Sequence, residues 1–141
     1  MQKILSQLFN TNLHALELLF IAYRRLKKDD PVLSRQLFDK FKTGMLQHIE
    51  QEEQSLLPEL CQVTGDAELI RKARREHQQL RQQLDWIENL LDKRIDSQED
   101  DRSLELMLSD HIENDEFGLY PCCDKLLNTD AVTRVLMELY P

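Results

Sequence analysis

The chain carries four histidines, His14, His48, His77 and His111, and their spacing is regular. His14 and His48 are 34 residues apart, and so are His77 and His111. A gap-free shift of 63 residues therefore lays one pair on the other. The same shift lays His48-Ile49-Glu50-Gln51-Glu52-Glu53 on His111-Ile112-Glu113-Asn114-Asp115-Glu116. It also lays Leu56-Leu57-Pro58 on Leu119-Tyr120-Pro121, and Tyr23 on Trp86. Repetition of one helix pair makes the shared polar residues more than accident. A lone histidine on a helix is more often a surface residue than a ligand. Two equal pairs, each with carboxylates at a matching offset, reverse that expectation.

Helix geometry selects among the carboxylates. Four steps of about 100° bring a side chain back to within about 40° of its start, one turn along. Glu52 then shares a face with His48, and Asp115 with His111. Glu53 and Glu116, five steps on, point about 140° away and are expected outside. If the four histidines converge on one level of a bundle, four imidazoles and two carboxylates meet in an apolar core. Uncompensated buried carboxylates cost on the order of several kcal/mol each, and cations remove that cost. Imidazole and carboxylate suit iron, with zinc and manganese as alternatives. The expected site is therefore His14, His48, Glu52, His77, His111 and Asp115 holding two iron ions. Glu52 and Asp115 would bridge them, leaving open positions for water or a small ligand. Glu17, three residues after His14, is a candidate for an extra carboxylate.

Two competing metal signatures are absent. A ferritin-like bundle needs a glutamate three residues before its histidine. The residues at that offset here are Thr11, Met45, Arg74 and Leu108. The His-Glu-x-x-His helix of zinc proteases does not occur either.

The elements that must position these side chains are helical. Leu5, Leu8, Leu16, Leu19, Phe20 and Tyr23 recur at helical spacing and predict a first helix over about residues 3–27. Asp29-Asp30-Pro31 stops it and starts the next, with Asp30 as N-cap and Pro31 at the first helical position. The second helix is expected over about residues 32–60, disturbed near its end by Pro58. A turn at Thr64-Gly65-Asp66 leads to a third over about 67–95, and the polar stretch 96–101 reads as a loop. A fourth helix is expected over about 102–126, and Asn128-Thr129 caps a short last one over about 129–139. No period-2 alternation or hairpin dipeptide competes. Four long helices with short connections predict an all-α, up-down antiparallel four-helix bundle. The whole chain, 1–141, is expected to be a single domain: a metal-site bundle at 3–126 and the short C-terminal helix.

Composition narrows the partners. The 141 residues carry a net charge of −8, which disfavours a nucleic-acid partner. The basic run Arg71-Lys72-Ala73-Arg74-Arg75 is expected to be a solvated helix face, the alternative being a dock for an acidic partner. No signal peptide or membrane-spanning run is legible, so a cytoplasmic protein is expected, with no membrane partner. Cys61, Cys122 and Cys123 lack zinc-type spacing and read as reduced thiols, with a redox role for Cys122 or Cys123 as the alternative. Tyr23 and Trp86 are expected to be core aromatics, and Met45 and Met107 core packing. Glu50, Glu76 and Glu113 are expected in solvent. The last helix, through Met137 and Tyr140, packs on the bundle or makes a homodimer or protein contact.

The ordered set of motifs resembles the hemerythrin-like (HHE cation-binding) family over roughly residues 8–125. The residues that carry the likeness are His14, His48-x-x-x-Glu52 with Leu57-Pro58, His77, and His111-x-x-x-Asp115 with Tyr120-Pro121. The resemblance implies a four-helix bundle with a carboxylate-bridged di-iron site. It also implies a role among oxygen carriers, oxygen, redox or iron sensors, or proteins that protect iron–sulfur clusters under nitrosative stress. Oxygen carriers of the family resemble a five-histidine site, and this chain has only four histidines. The positions one turn either side of His77 are Ala73 and Arg81. Asp115 is also shorter than the family's usual glutamate. The expected function is a binding or sensing protein for dioxygen, nitric oxide or peroxide, or an iron handler in oxidative or nitrosative stress, rather than a turnover enzyme. The alternatives are a di-iron enzyme that reduces nitric oxide or peroxide, and a metal-independent helical module that binds a protein partner.

Overall fold

The computed structural model describes residues 3–141; Met1 and Gln2, where the expected domain begins, lie outside the described residues. The elements are α1 (Ile4–Leu26), α2 (Pro31–Gln51), α3 (Leu57–Val63), α4 (Ala67–Asp92), α5 (Gln98–Asn114), α6 (Tyr120–Leu126) and α7 (Thr129–Leu139). Two single π-turns, Glu52–Leu56 and Asp115–Leu119, join α2 to α3 and α5 to α6 without a break. There is no strand among the described residues, and no helix is long and apolar enough to cross a membrane.

Caps fix where the helices begin. The Asp30 side chain accepts from the Leu33 amide at 3.1 Å, with Pro31 in the first turn where its missing N–H costs nothing. Asp66 does the same for Leu69 at 3.0 Å, and Asn128 for Ala131 at 2.9 Å. The expected loop at 96–101 is corrected: α5 already starts at Gln98. Its first turn holds Glu99, Asp100 and Asp101, which favour a helix N-terminus because the free backbone N–H groups there carry partial positive charge.

The long helices pack in a ring, α1 on α2, α2 and α3 on α4, α4 on α5, and α5 and α6 back on α1. Short connections make consecutive helices antiparallel, giving the up-down four-helix bundle. Its core stacks Phe9, Leu13, Leu16, Phe20 and Tyr23 of α1 against Phe38, Phe41, Met45 and Ile49 of α2. Leu80, Leu84, Ile87, Leu104, Leu108 and Ile112 come from the other pair. Each such side chain contributes about 1.5–3 kcal/mol on burial. α1 and α2 approach closely at Gly44, where an added Cβ would collide with the Leu16 side chain.

At one end of the bundle the core becomes polar. Tyr23 donates its hydroxyl to Asp101 Oδ1 at 2.9 Å, and Lys27 Nζ reaches Asp101 Oδ2 at 2.7 Å and Ser97 Oγ at 2.6 Å. Asp101 is buried, so these bonds carry its desolvation and tie α1 to the start of α5. Trp86, paired with Tyr23 by the repeat, is not a core aromatic: it is 49% exposed and donates its indole N–H to Asp100. Met45 is in the core and Met107 packs against it. α7 buries Ala131, Val132 and Val135, and Arg134 holds Glu59 through two 2.8 Å bonds. In the basic run, Arg71 and Arg75 stay exposed and pair with Glu68. The three cysteines are free; burial pushes the Cys123 thiol up, which keeps it protonated and inert.

Candidate metal centre

Three of the four histidines meet in the core. His48 on α2, His77 on α4 and His111 on α5 are all buried, together with Glu52 and Asp115 at the first positions of the two π-turns. The i to i+4 phase is kept: His48 Nε2 lies 2.7 Å from Glu52 Oε1, and His111 Nε2 lies 3.0 Å from Asp115 Oδ2. Glu52 also turns its other oxygen to His77, with Oε2 2.9 Å from Nε2. One carboxylate thus stands between two imidazoles from different helices.

His14 lies outside this group, and the expected four-way convergence is corrected. Its side chain is 51% exposed, with Glu17 3.9 Å away as its acidic neighbour. The cause is a one-residue slip in α1. The buried positions 9, 13, 16, 20 and 23 of α1 match 73, 77, 80, 84 and 87 of α4 when shifted by 64, not 63. Leu13, wholly buried, therefore takes the place equivalent to His77, and His14 is turned about 100° off the face.

Each buried ring is anchored from outside by its second nitrogen. The Nδ1 of His48 sits 2.7 Å from Asn12 Oδ1, that of His77 2.9 Å from Glu53 Oε2, and that of His111 3.0 Å from Glu76 Oε1. An Nδ1–H donated outward fixes the tautomer that turns the Nε2 lone pair to the middle, as metal-binding imidazoles require. Arg81 steadies Glu53 at 2.7 Å, and Asn114 steadies Glu76 at 2.6 Å. Glu53 is thus on the outer side, as its phase requires, yet it braces a site residue. Glu76 was expected in solvent and is corrected to the same bracing role. Glu50 and Glu113 are exposed as expected, and Glu116 is half-buried.

Tyr120 completes the cluster. It is buried, donates its hydroxyl to Glu52 Oε1 at 2.6 Å and lies 3.2 Å from His48 Nε2. Helical phase alone hides it, since five steps from Asp115 would turn it about 140° away. The intervening π-turn inserts one extra residue, so five residues make the step that four make in an α-helix. Asn12 and Glu76 left no signal in the motifs, because their partners lie on other helices.

The electrostatics are those of concentrated, mutually compensating charge. Burial disfavours ionised Glu52, but His48, His77 and His111 outweigh it and hold the carboxyl well below its usual range. Burial and then the charge of Glu52 push Asp115 up to about 7. Burial works against a charged His111, yet Asp115 and Glu76 outweigh it and push the ring up to about 10. Despite their proximity, His111 Nε2 and Asp115 Oδ2 are both buried without a hydrogen-bond partner. Orphaned polar atoms of this kind are costly, and a cation between them satisfies both.

The donors fit metal. Glu52, His77 and His111 place one ligand atom each within 4.8 Å of one another, and so do His48, Glu52 and Asp115. The two groups share Glu52. Cavities reach the cluster from two sides. One of about 260 Å³ touches His48 and is lined by Leu8, Phe9, Gln47 and Tyr140. The other, about 230 Å³, touches Asp115 and is lined by Lys72, Phe117 and Gly118. Both suit a ligand of a few atoms.

Residues 4–123 match the family described as hemerythrin HHE cation binding domain. Comparison with curated proteins and with solved structures returns no match.

Proposed function

The chain belongs to the hemerythrin HHE cation-binding family, and on that premise we propose that it holds two iron ions and uses them to bind or sense dioxygen, nitric oxide or peroxide, or to handle iron under oxidative or nitrosative stress. One observation carries the reading: two buried donor groups, Glu52–His77–His111 and His48–Glu52–Asp115, share a carboxylate whose oxygens face different helices. A shared carboxylate is the arrangement that spans two cations. Imidazole with carboxylate suits iron, and zinc or manganese would also fit. Bound iron would supply reversible redox chemistry and open coordination positions for a small ligand.

The chain's own residues do the rest. Asn12, Glu53 and Glu76 keep the three imidazoles in orientation and tautomer, which preserves the site between redox states. Phe9, packed edge-on to His48 and against Tyr120, gives the site an apolar wall on the α1 side. The Tyr120 hydroxyl holds a proton against Glu52. With only three inward imidazoles, the set is poorer in nitrogen than the family's oxygen carriers. That favours sensing or iron handling over oxygen storage.

Anaerobic reconstitution with ferrous iron, followed by elemental analysis, tests the reading. Two ions per chain are expected, with optical spectra that change on exposure to oxygen or nitric oxide. A chain that retains at most trace iron, zinc or manganese would overturn it.

A further inference from the structure

α1 supplies no imidazole to the cluster, so the two donor groups are unequal. Glu52–His77–His111 has two nitrogens, whereas His48–Glu52–Asp115 has one. Tyr120 Oη stands beside the poorer group, 2.6 Å from Glu52 Oε1 and 3.2 Å from His48 Nε2, while those two atoms are 2.7 Å apart. Three donors each about 2.1 Å from one cation in octahedral geometry would be about 3.0 Å apart. The observed triangle is close to one face of such a polyhedron.

Resting on the metal reading above, we infer that Tyr120 is a ligand of the His48–Glu52–Asp115 half, its phenolate filling the place a fourth histidine would take. The π-turn Asp115–Leu119 puts Tyr120 on the same face as Asp115, one turn on. The repeat shows that this is an asymmetry of the chain and not of the fold. The equivalent position after the other π-turn is Leu57, also buried, which can bind nothing. The α1 wall opposite is Phe9 and Leu13, which offer no donor. When the cation binds, the Oη–H proton now given to Glu52 leaves to solvent. The freed oxygen lone pair takes the metal, with no change of oxidation state.

The chain has three tyrosines, Tyr23, Tyr120 and Tyr140, so spectroscopy can single one out. Wild type, Tyr120→Phe, Tyr23→Phe and Tyr140→Phe are loaded with iron, oxidised to the ferric state, and assayed for metal content, visible absorption and resonance Raman scattering. The expected result is an intense visible charge-transfer band with tyrosinate ring modes. Both should be kept in Tyr23→Phe and Tyr140→Phe and lost in Tyr120→Phe. If Tyr120→Phe does not fold, the signature in the other three proteins still assigns Tyr120 by elimination. Iron-loaded wild type with no tyrosinate modes, or Tyr120→Phe that keeps them, overturns this inference alone. Wild type that takes up no iron overturns the metal reading and this inference with it.

Discussion

The centre is built in two layers, and single substitutions separate them. His48, His77, His111, Glu52 and Asp115 point donors at one another, while Asn12, Glu53 and Glu76 hold the rings from behind. Removing an inner donor takes away a ligand; removing an outer one lets a ring rotate or change tautomer. Glu76→Ala should therefore weaken metal binding by roughly 10–100-fold without abolishing it. His48→Ala should lose one ion, and Glu52→Ala both, because both donor groups use Glu52. His14→Ala should leave metal content and affinity unchanged, since its exposed ring faces Glu17 and not the core. Competition with a chelator of known affinity, followed by elemental analysis, measures all four. A His14→Ala protein that loses iron would contradict the helical phase of α1. The contrast between His14 and His77 also marks a limit of motif spacing: 34 residues separate the histidines of each pair, but a one-residue slip in the apolar face decides which of them turns inward.

At the scale of elements, the two π-turns do the positioning. They lie 63 residues apart, begin at Glu52 and Asp115, and are each followed by a proline in the next helical turn. Proline removes an N–H and clashes with the preceding turn, and a wider i to i+5 turn absorbs both effects without breaking the helix. The extra residue then sets which face the next stretch presents: Leu56, Leu57 and Leu60 in one half, Leu119, Tyr120 and Cys123 in the other. Phe117 lies within the second turn and is 76% exposed, so its side chain contributes little. Phe117→Ala should change stability by no more than about 0.5 kcal/mol. Deleting Phe117 should remove the extra residue and leave Tyr120 four α-helical steps from Asp115 on the same face, whereas inserting an alanine after Phe117 should swing Tyr120 and Cys123 about 100° off the core and lower the melting temperature sharply. Equal melts for the insertion and the deletion would show that the π-turn sets no register. Helices, caps at Asp30 and Asn128 and the stop at Pro31 were legible because each depends on local spacing. The π-turns were not, since Pro58 and Pro121 signal a disturbance without saying that the helix widens rather than ends. The early start of α5 was hidden for a related reason: acidic residues read as a loop also suit a helix N-terminus.

For the whole molecule, an apolar middle separates two polar regions of different character. The Tyr23–Asp101–Lys27 cluster lies fourteen residues along α1 from Phe9, about 21 Å at 1.5 Å per residue, and its carboxylate is met by a lysine of the chain. In the histidine–carboxylate cluster the carboxylates are met instead by imidazoles that can carry a proton, so protons and metal compete for it. That competition gives the metal-free and loaded proteins opposite dependences on pH. In the metal-free chain, His111 is held up to about 10 against the cost of burial by Asp115 and Glu76, whereas an unfolded histidine loses its proton near 6.5. Between about pH 6.5 and about pH 10 the folded state binds the extra proton, so stability falls as pH rises through that window. Asp115, pushed up to about 7 by burial and Glu52, acts in the same direction from roughly pH 4 to pH 7. Glu52, held low by the imidazoles, contributes stability that is lost only on acidification below the ordinary carboxylate range. Metal reverses the trend, because it needs neutral imidazoles and ionised carboxylates and releases their protons on binding. The stabilisation by iron should therefore shrink as pH drops through about 6 and grow on the alkaline side, where the metal-free protein weakens. Thermal melts of metal-free and iron-loaded protein from about pH 5 to about pH 9 measure both arms. The metal-free melting temperature should fall from neutral to alkaline pH while the iron-dependent shift widens. A shift that stays constant across this range would mean that iron and protons do not share these ligands, and that the ion is bound somewhere other than between His48, His77 and His111.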